Sequence, residues 1–306
     1  MVDISVEQWS RRVLRGRGEE VRKWLIHKGF LDSKLKIRSE GDFVIFPVLN
    51  EREGKARDIF ETRRMHESLP RHELIGGIAI IQDRDIDGAE RILASRPSIH
   101  TVLYALSGVE GTYRIKRFEV LAGTSTTRTR FTEYGYKYNV DLSVAYFSAR
   151  LSDERQHILR IMKENEWVLD MFSGVGPFAI TLSKKAALIL ASDINPRAIS
   201  LMIENIHVNR SKNVIPMLTD ASSLKDVIQW KFDRVIMNNP LSSVKFIKHA
   251  FDLCKEGGHI HFYVLQSVKG EFIPIINRYP AATIIERTIR SYSPTQWHAV
   301  YDIEVE

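Results

Sequence analysis

WVLDMFSGVGPFAI, residues 167–180, decides the fold. A short apolar run ends on Asp170, a loop carries Gly174 and Gly176, and a helix is expected from Pro177. Glycines let the backbone turn tightly and approach a ligand, and a helix N-terminus favours electron-rich groups. Gly174-x-Gly176-x-x-Ala179 also satisfies the relaxed dinucleotide fingerprint, so a nicotinamide cofactor competes at this point.

Working outward, WVLDM, AALILASD, VIPMLTD, FDRVIMNNP and HIHFYVLQ are apolar strands separated by helix-length stretches. That alternation predicts a doubly wound parallel sheet. Two late strands, ATIIERTIRSY and WHAVYDIEVE, have only SPTQ between them and should pair antiparallel, as sheets of Rossmann-type methyltransferases end.

The strand ends choose the cofactor. A carboxylate at Asp170 would repel a pyrophosphate but suits the ammonium of a methionine moiety. Asp193 ends the next strand and can accept from ribose hydroxyls. Asp220 ends the third, where it either accepts from an adenine amino group or caps the helix expected over ASSLKDV. None of these ends offers an arginine for a phosphate, which favours S-adenosylmethionine over NAD. Asn195 and Pro196 read as cap and first residue of a helix, compatible with cofactor binding.

Asn238, Asn239 and Pro240 end the fourth strand, at the switch point where a substrate meets the cofactor. Asn238 can hydrogen-bond a base edge, and Pro240 stiffens the turn; an ordinary turn is the alternative. Enzymes that methylate DNA amino groups place an aromatic after such a proline, to stack on the flipped base. Leu241 stands there instead, against a DNA adenine substrate.

Upstream, SRRVLRGRGEEVRKWLIHKGF reads as a helix, DFVIFPV as a strand, and NEREGKARDIFETRRMHESLPRHE as a polar linker. From LIGGIAII onward, alternating strands predict a sheet with one wet face bearing Arg114, Lys116, Arg128 and Arg130. In AYFSARLSDERQHI a helix would bring Arg150 and Glu154 together as an i, i+4 pair.

Composition narrows the class. Hydrophobic residues at 44% and charged ones at 27% are those of an ordinary soluble globular protein. No apolar run approaches a membrane span, and the N-terminus lacks an apolar signal core. The single cysteine, Cys254, cannot form an internal disulfide, which fits a cytoplasmic protein, and its apolar setting points to packing. The net charge of +6 suits a polyanionic partner but equally a merely basic protein.

GVEGTYRIKRFEVLAG, VDLSVAYFSARLSDER, VLDMFSGVGPFAI, DINPRAI and VIMNNP, in that order, closely resemble the archaeal and eukaryotic tRNA (guanine-37-N1)-methyltransferases over roughly residues 73 to 265. The resemblance implies that Glu154 is the general base for guanine N1 and that Arg114 binds O6. Asn238 and Pro240 match the family's N-x-P turn around the base. Tyr146, Arg150 and Arg155 would position substrate RNA. Phe172, Pro177 and Ile194, inside the same motifs, join Asp170, Gly174, Gly176, Asp193, Asp220 and Asn238 as cofactor contacts. Two positions depart from the family: Ser148-Ala149-Arg150 where Ser-Pro-Arg is usual, and Asn239 where Leu or Pro is usual.

The expectation is therefore an α/β protein in three parts. A small basic α/β tRNA-binding domain covers 1–66, an α+β middle domain 67–138, and a class I Rossmann-type methyltransferase domain 139–306. It would act as a monomer on tRNA with S-adenosylmethionine, without a metal and away from membranes. The alternatives are an aminocarboxypropyl transferase of the wybutosine pathway and an inactive RNA-binding relative.

Overall fold

The computed structural model describes residues 5–62 and 68–306. The chain divides into two compact units, Met1–Leu69 and Pro70–Glu306.

In the first unit, β1 (Ser5–Leu14), α1 (Gly18–His27), β2 (Arg38–Glu40), β3 (Phe43–Val48) and β4 (Ala56–Glu61) form an antiparallel sheet of order β2-β3-β1-β4 with one helix. Leu25 of α1 buries against Phe46 and Val48. The helix expected from Ser10 starts only at Gly18, because Trp9 and Val13 alternate with arginines and join the sheet's core cluster. Arg12 lies over the Phe43 ring at 4.5 Å and Arg11 over Trp24 at 4.9 Å, so these cations cover apolar rings. The supposed linker holds β4, which pairs with β1; Arg63 to Glu67 of it lie outside the described residues.

The second unit opens with β5 (His72–Ile75), β6 (Ile78–Ile81), α2 (Ile86–Ser95), β7 (Thr101–Ala105) and β8 (Phe118–Gly123), a four-stranded sheet packed on α2. LIGGIAII, expected as one strand, is split by Gly76-Gly77 into a hairpin. At Gly76 φ is +56°, and a Cβ would lie 2.3 Å from the Arg130 carbonyl oxygen, so only glycine fits. The strands β9 (Arg128–Glu133) and β10 (Tyr136–Asp141) form a separate hairpin. The single wet sheet face is therefore not formed: Arg114 lies in a turn, and Arg128 pairs with Glu204.

After α3 (Ser152–Ile161) come β11 (Trp167–Asp170), α4 (Pro177–Leu182), β12 (Leu188–Asp193), α5 (Pro196–Asn209), β13 (Val214–Leu218), α6 (Leu224–Val227), β14 (Phe232–Met237), α7 (Ile247–Leu253), β15 (Cys254–Gln266), α8 (Ile273–Ile276), β16 (Ala281–Ser291) and β17 (Trp297–Val305). Their strands build one sheet, β13-β12-β11-β14-β15-β17-β16, with β17 antiparallel to both neighbours and the first five parallel. This is the expected doubly wound sheet closed by a hairpin. Alternate strand residues face opposite sides, so Leu169 and Val235 enter one apolar cluster while Val168 and Ile236 enter the other.

A third cluster joins Ile78, Leu103 and Tyr138 to Val175, Ile180 and Leu201. The middle and C-terminal segments thus share a core, and residue 138 lies inside β10. Cys254 is fully buried, and burial pushes its thiol up to about 12, consistent with packing. None of the described helices is long and apolar enough to cross a membrane.

Candidate active site

The C-terminal ends of β11, β12, β13 and β14 converge on one cleft of about 390 Å³, where open α/β sheets bind ligands. Its floor is the glycine loop. Gly176, at φ +87°, caps α4, and a Cβ there would stand 2.8 Å from Met202 Cγ. Gly174 donates its N–H to Asp193 Oδ2 at 2.7 Å, and the other oxygen of Asp193 accepts from Asn195 N at 2.8 Å. Asp193 is thus the clasp of the loop as well as a wall of the cleft, and burial raises its carboxyl above the usual range.

Asp170 is 1% exposed, and neither of its carboxylate oxygens has a hydrogen-bond partner among the described residues. Burial pushes it up to about 7. The Ser173 hydroxyl and the Phe172 and Ala179 amides offset only part of the burial, and an acid so poorly satisfied is costly unless a cation completes it. A ligand ammonium at the strand end would do so. Asp220 lines the cleft but also caps the turn at Ala221–Ser223, accepting from Ser222 N at 2.8 Å; hydrogen bonds from Ser222 hold its carboxyl below the usual range. Both readings of that residue have a basis. Phe172, Pro177 and Ile194 line the same space. No cluster of side chains suited to a metal occurs among the described residues.

The far end of the cleft holds Arg114, Tyr146 and Asn238. Arg114 is not on a strand. It ends a tight turn closed by the Glu110–Ile115 bridge, with φ +55°. Its guanidinium lies 4.8 Å from the Tyr146 ring centroid and donates from NH1 to Asn239 Oδ1 at 3.1 Å. Burial lowers its pKa, and its Nε is buried without a partner among the described residues. Asn239, the departure at the N-x-P turn, is therefore the hand that holds Arg114. Pro240 borders a small annex beside this end.

The TRM5/TYW2 methyltransferase domain matches residues 129–282, and the tRNA methyltransferase 5 N-terminal domain matches residues 12–56. The chain is 34% identical to the tRNA (guanine(37)-N(1))-methyltransferase Trm5b of Pyrococcus abyssi, over 94% of this chain and 96% of that protein. The chain belongs to the TRM5/TYW2 methyltransferase family. Within it, the solved complex of aTrm5 with tRNALeu superposes with a TM-score of 0.72 at 28% identity, covering 97% of this chain and 100% of that one. The family's tRNA(Phe) (4-demethylwyosine(37)-C(7)) aminocarboxypropyltransferase from Methanocaldococcus jannaschii is 32% identical over 77% of this chain and 98% of that protein.

Three sequence expectations change against this frame. Arg150 does not pair with Glu154; it reaches Glu73 at 3.0 Å, because a 3-10 turn at Ala149–Leu151 precedes the helix proper. Arg155, expected as a free RNA-positioning cation, borders the cleft but is 1% exposed and held by Glu133 at 2.5 and 2.6 Å. Glu154 is buried and is not among the residues lining the cleft or the annex. It accepts from Tyr263 Oη at 2.8 Å and from two nitrogens of Arg287 at 2.8 and 3.0 Å. Asn239 was read only as a departure in the turn, not as the anchor of Arg114, and Arg287 and His298 were missed. Only the placement of Arg287 and His298 on a late amphipathic hairpin could have marked them.

Proposed function

We propose that this chain transfers the methyl group of S-adenosylmethionine to N1 of guanosine 37 in tRNA. The observation that carries the reading is the meeting of Arg114 and Asn238 with the glycine loop in one cleft. When bound, the cofactor supplies an electrophilic methyl group. Asp170 would take its ammonium, Asp193 its ribose hydroxyls, Asp220 its adenine amino group, and Gly174 the close approach of its chain. Phe172, Pro177 and Ile194 would complete the walls.

Guanine N1 carries a proton and is a poor nucleophile until that proton leaves. As it leaves, charge develops on O6, and a cation beside O6 lowers the barrier. Arg114 is that cation, steadied by Asn239, with Asn238 and Pro240 holding the base edge and Tyr146 beside it. Glu154 is the carboxylate that draws the N1 proton. Arg150, half-exposed near the cleft, positions RNA through the Tyr146–Arg150 segment. The basic unit 1–66 serves as the tRNA-binding domain, 67–138 supplies the Arg114 turn, and 139–306 the cofactor site. The protein works as a monomer in the cytoplasm.

Labelled cofactor with tRNA transcripts bearing guanosine or adenosine at position 37, followed by nucleoside mass spectrometry, tests the reading. A methyl-sized gain on guanosine alone is expected. An aminocarboxypropyl-sized gain, or none, would overturn it. The match of residues 12–56 to the tRNA methyltransferase 5 N-terminal domain favours methyl transfer, since the aminocarboxypropyl relative aligns with only 77% of this chain.

A further inference from the structure

The annex beside Arg114 has a volume of about 30 Å³, so it takes an oxygen or two rather than a ring. Arg114, Asn238 and Pro240 form one wall. The end of the β16–β17 hairpin forms the other, with Arg290, Tyr292 and His298. Among the described residues, no carboxylate and no part of the glycine loop lines it. Leu241 and Tyr292 on its rim are exposed, so the annex reaches the surface.

Two guanidiniums therefore share a small space that holds no protein anion. Arg290 has no ion-pair partner among the described residues, and its Nε is buried without a hydrogen-bond partner there. Arg287, on the same strand, is instead held by Glu154 and Asp302. The placement of Arg290 is built into the strand. Residues opposed across an antiparallel pair share a face, and Arg287 stands opposite Val300 while Arg290 stands opposite His298. Val300 and His298 are two apart, so Arg287 and Arg290 face one side although they are three apart. A register shift between Thr288 and Arg290 produces this, and such bulges re-aim a side chain. His298 is buried, and burial, then Arg290 and Arg114, bring its imidazole down to about 4 against the pull of Glu154. The ring is neutral and adds no third cation.

A half-buried cation set beside another is costly until an anion joins them. The cofactor's carboxylate belongs with the glycine loop, which lies outside the annex. Guanine is neutral, and its O6 is taken by Arg114. The remaining anion is the RNA backbone, which a base swung out of its stack brings with it. We propose that Arg290 binds a non-bridging oxygen of a phosphodiester flanking the target nucleotide, holding the swung-out guanosine by its backbone while Arg114 holds its O6. The inference rests on the guanosine-37 reading, in which Glu154 keeps the N1 proton. Arg290 is a positioning residue: it touches the strand but no reacting atom.

Full-length tRNA ligated from synthetic segments, with one methylphosphonate on the 5′ or the 3′ side of guanosine 37, removes one backbone charge at a time. Dissociation constants and single-turnover rates are measured for wild type, Arg290→Gln and Arg290→Lys, with cofactor affinity by calorimetry. On native tRNA, Arg290→Gln should bind about tenfold more weakly, the scale of one lost charge-assisted hydrogen bond, with cofactor affinity unchanged. Its slope of log affinity against log salt should shrink by about 0.7, the value for one phosphate on a single strand. On one of the two methylphosphonate tRNAs, wild type should show the same loss and Arg290→Gln should lose nothing more. Arg290→Lys, which keeps the charge, should recover part of the binding and the salt slope.

Losses that multiply at both linkages, an unchanged salt slope, or native binding in Arg290→Gln overturns the inference. A parallel fall in cofactor affinity overturns it as well, since the hairpin itself would then be distorted. The binding arm decides the phosphate contact whatever is transferred. Wild-type protein that binds the tRNA yet leaves guanosine 37 without a methyl group by nucleoside mass spectrometry would instead remove the guanosine-37 reading.

Discussion

Arg287 grips Glu154 through both terminal nitrogens, at 2.8 and 3.0 Å, while its Nε reaches Asp302 at 2.6 Å. One guanidinium on β16 thereby serves two carboxylates from different elements. The chain continues inward. His261 Nδ1 bonds Asp302 at 2.6 Å, and Arg234 NH1 meets His261 Nε2 at 2.5 Å. Since Arg234 can only donate, Nε2 accepts, and the proton of His261 sits on Nδ1 facing Asp302. Arg234 in turn bonds Glu166 at 2.6 and 3.0 Å. Each polar atom is oriented by the next, which fixes the direction of Glu154.

Removing Arg287 leaves two carboxylates without their cation. Breaking one side of a buried pair costs about 3 kcal/mol, so Arg287→Met should lower the unfolding free energy by roughly that amount in denaturant titrations at pH 7. Combining it with Glu154→Gln should recover part of the loss. Additive losses would show that the pair is not coupled.

Asp302 gives this network a pH signature. Burial alone would raise it, but the hydrogen bond from His261 and the hydrogen bond and charge of Arg287 hold it well below the usual carboxylate range. A depressed acid stabilises the fold above its unfolded value and loses that contribution as pH falls through its folded value. Asp302→Asn should therefore be clearly less stable than wild type at pH 7, with the gap narrowing below about pH 4. A gap that is constant from pH 7 to pH 3 would refute this.

Asp170 behaves oppositely. With its carboxyl raised to about 7 by burial, the folded protein binds more protons than the unfolded chain, so stability without cofactor falls as pH rises from about 4 to 7. The full shift is worth roughly 4 kcal/mol; an unpartnered amide returns part of it, so Asp170→Asn should gain about 2 kcal/mol at pH 8. The same variant should lose cofactor binding. In wild type, cofactor affinity should drop about tenfold per pH unit below 7, because the ammonium needs the anion. Calorimetric titration at pH 6, 7 and 8 reads this directly.

Asn239 anchors Arg114 across 125 positions of sequence. Asn239→Leu removes that anchor at the end of the cleft that Arg114 and Asn238 line. Methyl transfer should slow by about tenfold in single-turnover assays, consistent with one lost hydrogen bond from a charged donor, about 1.5 kcal/mol, while cofactor affinity stays put. A matched fall in cofactor affinity would instead mean that the turn itself had collapsed.

Local order was what the sequence made legible. The glycine loop, the strand ends at Asp170 and Asp193 and the Asn195-Pro196 cap are each determined within a dozen residues, and the closing hairpin between Ala281 and Val305; each formed. What was not legible depended on partners far away. Arg155 looked like a surface cation until Glu133 enclosed it, and Glu154 was matched to Arg150 when Arg287 lay 133 positions on. Ser10–Leu14 was misread because its spaced apolar residues fit a helix nearly as well as a strand, and only the neighbours β3 and β4 decide. Arg114 sat in an alternating stretch that predicted a strand, yet the Gly111–Arg114 turn breaks it.

The bond from Gly174 N to Asp193 has a bearing on how cofactor variants should be interpreted. Replacing Asp193 takes away a possible sugar contact and, in the same stroke, unlatches the backbone that shapes the methionine side of the groove. Affinity lost in such a variant cannot be assigned to one hydroxyl, and a cofactor analogue lacking that hydroxyl is the cleaner way to weigh it.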